Sequence, residues 1–282
     1  MGLVPFVDEG HRRVIPRSAP TRRIVSLAPS VTELLFSIGA GDQVVGIDNY
    51  SDQPAGLVES IPKVGSDYEP SLETIVRMEP DVVFTSMSAN RRETVESLDR
   101  MGVPVFVTDT RTLRDLDLTL RNLGAVTGHL KRAEDQISSL AIGFDRVRRR
   151  VRGHQKPRVL VVIWDDPLYV AGSATFTDDL IEMAGGTNVA ADAVGFAKYP
   201  LERVLHAAAD VIVLPSHAPK AEKARETYWS RWSGLPAVKD KRVYVVEDAL
   251  IIRPGPRLVQ GAELLAGLIN PERPPDPPSD GG

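Results

Sequence analysis

The sequence contains no cysteine. Disulfides, thiol catalysis and cysteine-based zinc sites are therefore excluded, and no lipid-modified cysteine anchors these residues. Histidine is scarce as well. The five histidines, His11, His129, His154, His206 and His217, are scattered. Only His217 follows an expected strand end, where it reads as a surface-loop residue rather than a metal ligand. Long apolar runs are also missing. The longest, Val159 to Trp164, has the length of a strand and falls far short of a membrane span. Residues 1–20 lack the apolar core of a signal peptide. Either such a segment precedes them, or export by that route is not used.

Catalytic signatures are lacking too. There is no G-x-S-x-G elbow, Walker loop or H-E-x-x-H motif. Gly39-Ala40-Gly41 follows an expected helix instead of joining a strand to a helix, so it is no phosphate-binding fingerprint. Asp165-Asp166 precedes Pro167 and reads as the start of a turn. No catalytic residue, metal ligand or cofactor is assigned, and an enzyme is not expected.

The 282 residues suit two lobes better than one core. The apolar fraction of 42% and charged fraction of 26% are ordinary for a globular protein. A net charge of −4 argues against a nucleic-acid partner. The arginines around Arg12–Arg23 and Arg146–Arg152 read as solvated faces.

Strand and helix signals alternate, the pattern of a parallel-sheet α/β protein. Strands are expected at 24–27, 44–47, 81–84 and 103–107, and helices at 34–38, 72–78 and 94–101. Ala28-Pro29-Ser30 is expected to break the first strand. After Gly128 the pattern changes. Leu130, Ala133, Ile137, Leu140, Ala141, Phe144, Val147 and Val151 recur at three- and four-residue steps. They predict one helix about 30 Å long, ended by Gly153 and Pro157 and placed as a strut between lobes.

Beyond Pro157 the alternation restarts as an echo. Thr32-Glu33-Leu34-Leu35 with Gly39 matches Asp178-Asp179-Leu180-Ile181 with Gly185 at one spacing. Leu72-Glu73 before Asp81-Val82-Val83 matches Leu201-Glu202 before Asp210-Val211-Ile212 at another. Two echoes in the same order imply two lobes of like topology. The expected division is an N-terminal extension at 1–20, an N-terminal lobe at 21–128, an interlobe helix at 129–153 and a C-terminal lobe at 154–270. Residues 271–282 form a Pro-rich tail, expected to be disordered.

In open α/β sheets, ligands sit beyond the carboxyl ends of the strands. The loops expected there carry Ala28-Pro29-Ser30, Tyr50, Tyr68 and Ser86 in the first lobe. In the second they carry Trp164, Phe196, Asp248 and Arg253. Aromatic and small polar groups with few charges suit a broad, partly apolar ligand. Glu73 and Glu202 each open a helix after a proline. Helix-dipole complementarity explains an acid at either place, but not its recurrence at matching places.

Arg23-Ile24-Val25-Ser26-Leu27-Ala28-Pro29-Ser30-Val31-Thr32-Glu33-Leu34-Leu35 resembles the opening motif of the cobalamin- and ferric-siderophore-binding proteins of ABC importers, class III periplasmic substrate-binding proteins. The likeness continues through Tyr50-Ser51-Asp52-Gln53-Pro54, Lys63-Val64-Gly65, Gly185-Gly186-Thr187-Asn188 and Arg253-Pro254-Gly255-Pro256-Arg257, spanning about residues 21–270. The vitamin B12-binding branch looks nearest. The resemblance implies two Rossmann-like lobes joined by a single long rigid helix, with a small-molecule metal chelate in the cleft between them. It implies that Glu73 and Glu202 dock on arginines of an ABC permease dimer, which works with ATPase subunits. By position it makes Ala28, Tyr50, Trp164 and Phe196 cobalamin contacts, Phe196 standing where a tryptophan is usual. A tryptophan often found before the first docking glutamate is replaced by the stretch with Asp67 and Tyr68. It also implies an extracytoplasmic location, while the missing signal and anchor cysteine leave a cytosolic form open.

The reading that follows is a receptor that captures cobalamin or a related corrinoid for an importer. Its nearest rival is the same machine for a ferric siderophore or haem. A siderophore site usually needs more cationic side chains, and Arg253 is the main candidate here. A two-lobed enzyme such as a glycosyl transferase would need a clustered acid/base or metal set, which these residues do not offer.

Overall fold

The computed structural model describes residues 6–14, 20–216 and 219–271. The chain forms two compact units. Unit 1 runs to Ala141 and includes Arg253–Pro256; unit 2 comprises Ile142–Ile252 and the chain from Arg257 onward.

Unit 1 opens with a hairpin, β1 (Phe6–Val7) against β2 (Arg13–Val14). The alternation follows as β3 (Ile24–Ser26), α1 (Pro29–Ser37), β4 (Val44–Ile47), α2 (Leu72–Arg77), β5 (Val82–Ser86), α3 (Arg92–Arg100), β6 (Val105–Thr108), α4 (Leu113–Thr127) and α5 (Leu130–Arg150). Its main sheet is parallel, in the order β4-β3-β5-β6. Val25, Leu27, Ile75, Val83, Leu98 and Val105 pack on one another in its core.

The N-terminal hairpin is bonded into unit 1. Asp8 is buried and accepts hydrogen bonds from the Val107 amide at 3.2 Å and the Arg12 amide at 2.7 Å. Glu9 accepts from the Asp109 amide at 2.6 Å, Thr119 at 2.9 Å and Asn122 at 3.1 Å. Backbone donors in and just after β6 thus find acceptors on the hairpin, as buried donors require.

Unit 2 contains β7 (Arg158–Asp165), β8 (Leu168–Ala171), α6 (Phe176–Met183), β9 (Thr187–Asn188), β10 (Phe196–Lys198), α7 (Leu201–Ala207), β11 (Val211–Ser216), α8 (Pro219–Ser230), α9 (Pro236–Lys239), β12 (Val243–Glu247) and α10 (Leu258–Ile269). Strands β9, β7, β11 and β12 are parallel neighbours in that order. This repeats the topology of unit 1, with β9, β7, β11 and β12 in the places of β4, β3, β5 and β6. The echo extends to details. The Asp81 and Asp210 amides each bond the carbonyl of the arginine that begins or precedes the central strand, Arg23 and Arg158, at 2.8 Å. Each aspartate also accepts backbone amides there, from Arg22 and Arg23 in unit 1 and Arg158 in unit 2.

Unit 2 departs from the purely parallel expectation by two insertions. β8 folds back antiparallel on β7, and β10 pairs antiparallel with β8. Its core gathers Leu160, Val162, Val170, Ile212, Leu214 and Trp229.

Helix α1 starts earlier than expected. Ala28 is its N-cap and Pro29 its first residue, where the missing amide and fixed φ of proline fit. Helix α5 is continuous over 21 residues, with Ala133, Ile137, Leu140, Phe144 and Val147 buried and Leu130 exposed. The division between units falls within it, between Ala141 and Ile142. Arg253–Pro256 groups with unit 1 although it lies late in the sequence. The expected disordered tail at 271–282 lies, beyond residue 271, outside the described residues. Among the described residues no helix is long and apolar enough to cross a membrane.

Candidate functional site

In unit 1 the candidate residues gather at the carboxyl ends of parallel strands. Ala28 follows β3, Tyr50 follows β4 and Ser86 ends β5. Tyr50 is 58% exposed and Tyr68 59%, high values for large aromatics and the kind of surface a ligand covers. The Arg91 guanidinium lies 5.0 Å from the centre of the Tyr68 ring, within cation–π range.

Four neighbours of these tyrosines do not offer side chains in the way the sequence suggested. Ala28 is fully buried; its contribution is the extended backbone that starts α1. Pro29 and Ser30, half-buried, form the first turn of that helix. Ser86 is buried, its hydroxyl 2.9 Å from that of Ser88.

Asn90, not singled out from sequence, ties the loops together. Its amide nitrogen donates to the carbonyls of Leu27 at 2.8 Å and Asp67 at 2.7 Å, and its oxygen accepts the Ser86 amide at 2.7 Å. One side chain thus satisfies backbone groups from three strand-end segments.

Arg253 belongs to unit 1 by packing, although it lies late in the sequence. Its guanidinium bonds Glu33 at 3.3 Å and Asp52 at 2.8 Å. Glu33 is itself buried. Two carboxylates engage the cation that sequence reading set aside for the ligand.

In unit 2, Trp164 and Phe196 lie within β7 and β10 and not in loops. Trp164 is 60% exposed; its indole N–H donates to the Asp166 carbonyl at 2.8 Å. Trp164 is paired across the strands with Tyr169 of β8, and Tyr169 with Lys198 of β10. Paired residues share a sheet face, and residues two apart on a strand do too. Trp164, Tyr169, Lys198 and Phe196 therefore occupy one face. Phe196 is half-exposed and packs edge-on against Phe176 with ring centres 5.9 Å apart. Tyr169 was not identified from the sequence; its strand, β8, has only four residues.

Asp165 does not merely begin a turn. Its carboxylate accepts from Arg225 Nε at 2.6 Å and from Trp229 Nε1 at 2.8 Å. Arg225 also donates to the carbonyls of Val162, at 2.8 Å, and Pro215. This nearly buried cluster joins the ends of β7 and β11 to α8 next to Trp164. Asp248, half-buried, opens the turn after β12. His217 lies outside the described residues.

Glu73 and Glu202 are each the second residue of their helices, α2 and α7, and both are exposed. Arg77, one turn on, bonds Glu73 at 2.5 Å, but the glutamate side chain remains 83% exposed. Glu202 rims a groove also lined by Val189, Tyr199, Arg203 and His206.

The periplasmic binding protein family matches residues 24–250. An uncharacterized ABC transporter substrate-binding lipoprotein of Bacillus subtilis, YvrC, is 29% identical over 94% of this chain and 85% of its own length. A vitamin B12-binding protein of Pectobacterium carotovorum is 25% identical, covering 88% of each chain. The apo structure of RhuT, a periplasmic heme-binding protein from Roseiflexus, superposes with a TM-score of 0.79 at 27% identity. It covers 88% of this chain and 98% of that one. The doubly wound units, their repeated topology and the family match over residues 24–250 lead to one conclusion: the chain belongs to the periplasmic binding protein family and is a substrate-binding component of transport, not an enzyme.

Proposed function

We propose that this protein captures cobalamin or a related corrinoid and delivers it to the permease of an ABC importer outside the cytoplasm. The observation that carries this reading is the set of large aromatics left exposed near strand ends in each unit, Tyr50 and Tyr68 in one and Trp164, Tyr169 and Phe196 in the other. Exposed rings, three of them on strands, suit a broad ligand that hides much apolar surface. The engagement of Arg253 by Glu33 and Asp52 favours a ligand with little negative charge over a ferric siderophore. The names of the B12-binding relatives agree with this reading.

Haem is the second reading. Exposed phenols at Tyr50, Tyr68 and Tyr169 are potential axial ligands to haem iron, and Lys198 on the Tyr169 face suits a peripheral carboxylate.

The test is titration of the protein with cyanocobalamin, haemin and a ferric catecholate, followed by absorption and calorimetry. Tight binding of cyanocobalamin alone is expected. Trp164→Ala and Tyr169→Ala should each weaken it by about 2 kcal/mol, roughly thirtyfold, if they anchor the ligand. Binding of haemin alone, with a new Soret band lost in one Tyr→Phe variant, would establish the second reading. Binding of none of the three would refute both.

A further inference from the structure

Asp48 stands at the end of β4, two residues before Tyr50. Its residue is 0% exposed, yet it carries a carboxylate. A buried acid with no role in packing demands a physical account. Its Oδ1 accepts the backbone amide of Tyr50 at 2.8 Å. Its Oδ2 accepts the Ser51 hydroxyl. The Ser51 oxygen lies 2.8 Å from Thr32 Oγ1, which donates to Ser26 Oγ at 2.9 Å and reaches the Ala28 carbonyl at 3.2 Å. From the other side, Lys63 donates to the Ser51 carbonyl at 2.7 Å, and the neighbouring Asn49 amide bonds the Gly65 carbonyl at 2.8 Å.

The result is a buried run of polar groups within hydrogen-bonding distance of one another, from the β4 loop through α1 to the end of β3. It fixes the backbone under Tyr50 while leaving the ring in solvent. Ordering a loop before its ligand arrives lowers the entropy cost of binding, and a contact group held by locked neighbours is more effective than one left free. We propose that Asp48 is a positioning residue for the ligand site. It supplies the acceptor that holds the Tyr50 backbone, and it acts on affinity only through Tyr50. This rests on the reading that Tyr50 touches the ligand.

The chemistry requires an acceptor and not a charge. A carbonyl oxygen at Oδ1 receives the Tyr50 amide equally well, and Ser51 can turn its proton to Thr32 while accepting from a donor at Oδ2. Asp48→Asn should therefore rescue, as should Asp48→Thr, whose hydroxyl can accept from the amide two residues on. Asp48→Ala should fail. So should Asp48→Val, which has the shape of threonine without the acceptor and keeps the comparison usable if the alanine variant folds poorly.

Two measurements decide. The first is hydrogen exchange at the Tyr50 amide without ligand. Strong protection is expected in the wild type, Asp48→Asn and Asp48→Thr, and fast exchange in Asp48→Ala and Asp48→Val. The second is cyanocobalamin affinity in a double-mutant cycle with Tyr50→Ala. Asp48→Val should cost about tenfold or more with Tyr50 present and nothing further with Tyr50→Ala. Equal Tyr50 amide protection in Asp48→Thr and Asp48→Val, or an equal affinity loss with and without Tyr50, overturns the proposal. If wild type does not bind cyanocobalamin, the ligand reading fails on its own, and the exchange arm still decides whether Asp48 holds the loop.

Discussion

Glu73 and Glu202 illustrate how little a single exposed residue owes to folding. Each acid sits in the first turn of its helix, where dipole complementarity contributes at most about 1 kcal/mol. The Glu73–Arg77 pair adds little, since both side chains are largely exposed and such surface pairs contribute about 0–1 kcal/mol. The docking role that the family resemblance implies would need that economy, since Glu73 would have to exchange Arg77 for a partner's arginine. Glu73→Ala with Glu202→Ala is expected to leave ligand affinity unchanged and lower stability by about 2 kcal/mol or less. Association with the importer should be lost, and association of the wild type should weaken steeply with salt. Ligand titration, thermal unfolding and reconstituted uptake test this together; normal uptake by the double variant would remove the docking role.

At the scale of elements, Gly124 shows how closely helices are drawn together. It lies in α4, and a Cβ built there would come within 2.7 Å of Ala133 Cβ in α5 and 3.0 Å of Leu130 Cα. Neither neighbour is the far end of a flexible side chain, so a larger residue must separate the helices. Gly124→Val is expected to destabilise by about 1–3 kcal/mol, read as a lower urea midpoint with an unchanged slope. Gly102, where an added Cβ meets nothing within 4 Å but φ is +72°, is a useful contrast because its cost is conformational instead of steric.

The same helices mark where sequence was legible. The stripe of α5 could be read because Ala133, Ile137, Leu140, Phe144 and Val147 are apolar and buried on one face. Helix α4 went unread, although Thr112 and Asp115 form a capping box at its start and Leu116, Leu120 and Leu123 keep helical spacing. The echo of Glu73 in Glu202 reflected true equivalence of α2 and α7, each preceding a central parallel strand. The inserted β8 and β10 were not legible. At four and three residues they are too short for a periodicity to stand out, and what defines them is pairing with β7, a non-local fact. That is why Trp164 and Phe196 read as loop residues. Asp48, Asn90 and the Asp165–Arg225 cluster were invisible for a related reason: their meaning lies in partners distant in sequence, or in the burial of a group whose type alone suggests a turn.

At the scale of the whole molecule, buried carboxylates of unit 1 and an ion-paired carboxylate of unit 2 are shifted in opposite senses. In unit 1, burial raises the pKa of Glu9 above its ordinary value of 4.5, outweighing hydrogen bonds from Asp109, Asn122 and Thr119. Burial likewise raises Asp48 above 3.8, against hydrogen bonds from Ser51 and Tyr50. In unit 2, the hydrogen bond from Arg158 holds Asp210 below 3.8. A raised carboxylate binds its proton more readily when folded, so its contribution to stability is fully present below the unfolded pKa and is lost as pH rises through the folded one. A lowered carboxylate contributes above its unfolded pKa and loses that contribution as pH falls through its folded one. Acidification from neutrality toward 4.5 should thus relieve the cost of ionised Glu9, and only below 3.8 should the Asp210 contribution fade. Because glutamine and asparagine do not titrate, the variants Glu9→Gln and Asp210→Asn isolate each effect. Urea unfolding across this range should show wild type gaining on Glu9→Gln as pH falls from neutral to about 4.5, and losing its advantage over Asp210→Asn only further down. All three tryptophans, Trp164, Trp229 and Trp232, belong to unit 2, so their fluorescence follows the Asp210 comparison directly, while circular dichroism follows the Glu9 comparison over the whole chain. A gap between wild type and Glu9→Gln that stays flat over that window would mean that the hydrogen bonds from Asp109, Asn122 and Thr119 fully offset the burial of the Glu9 carboxylate.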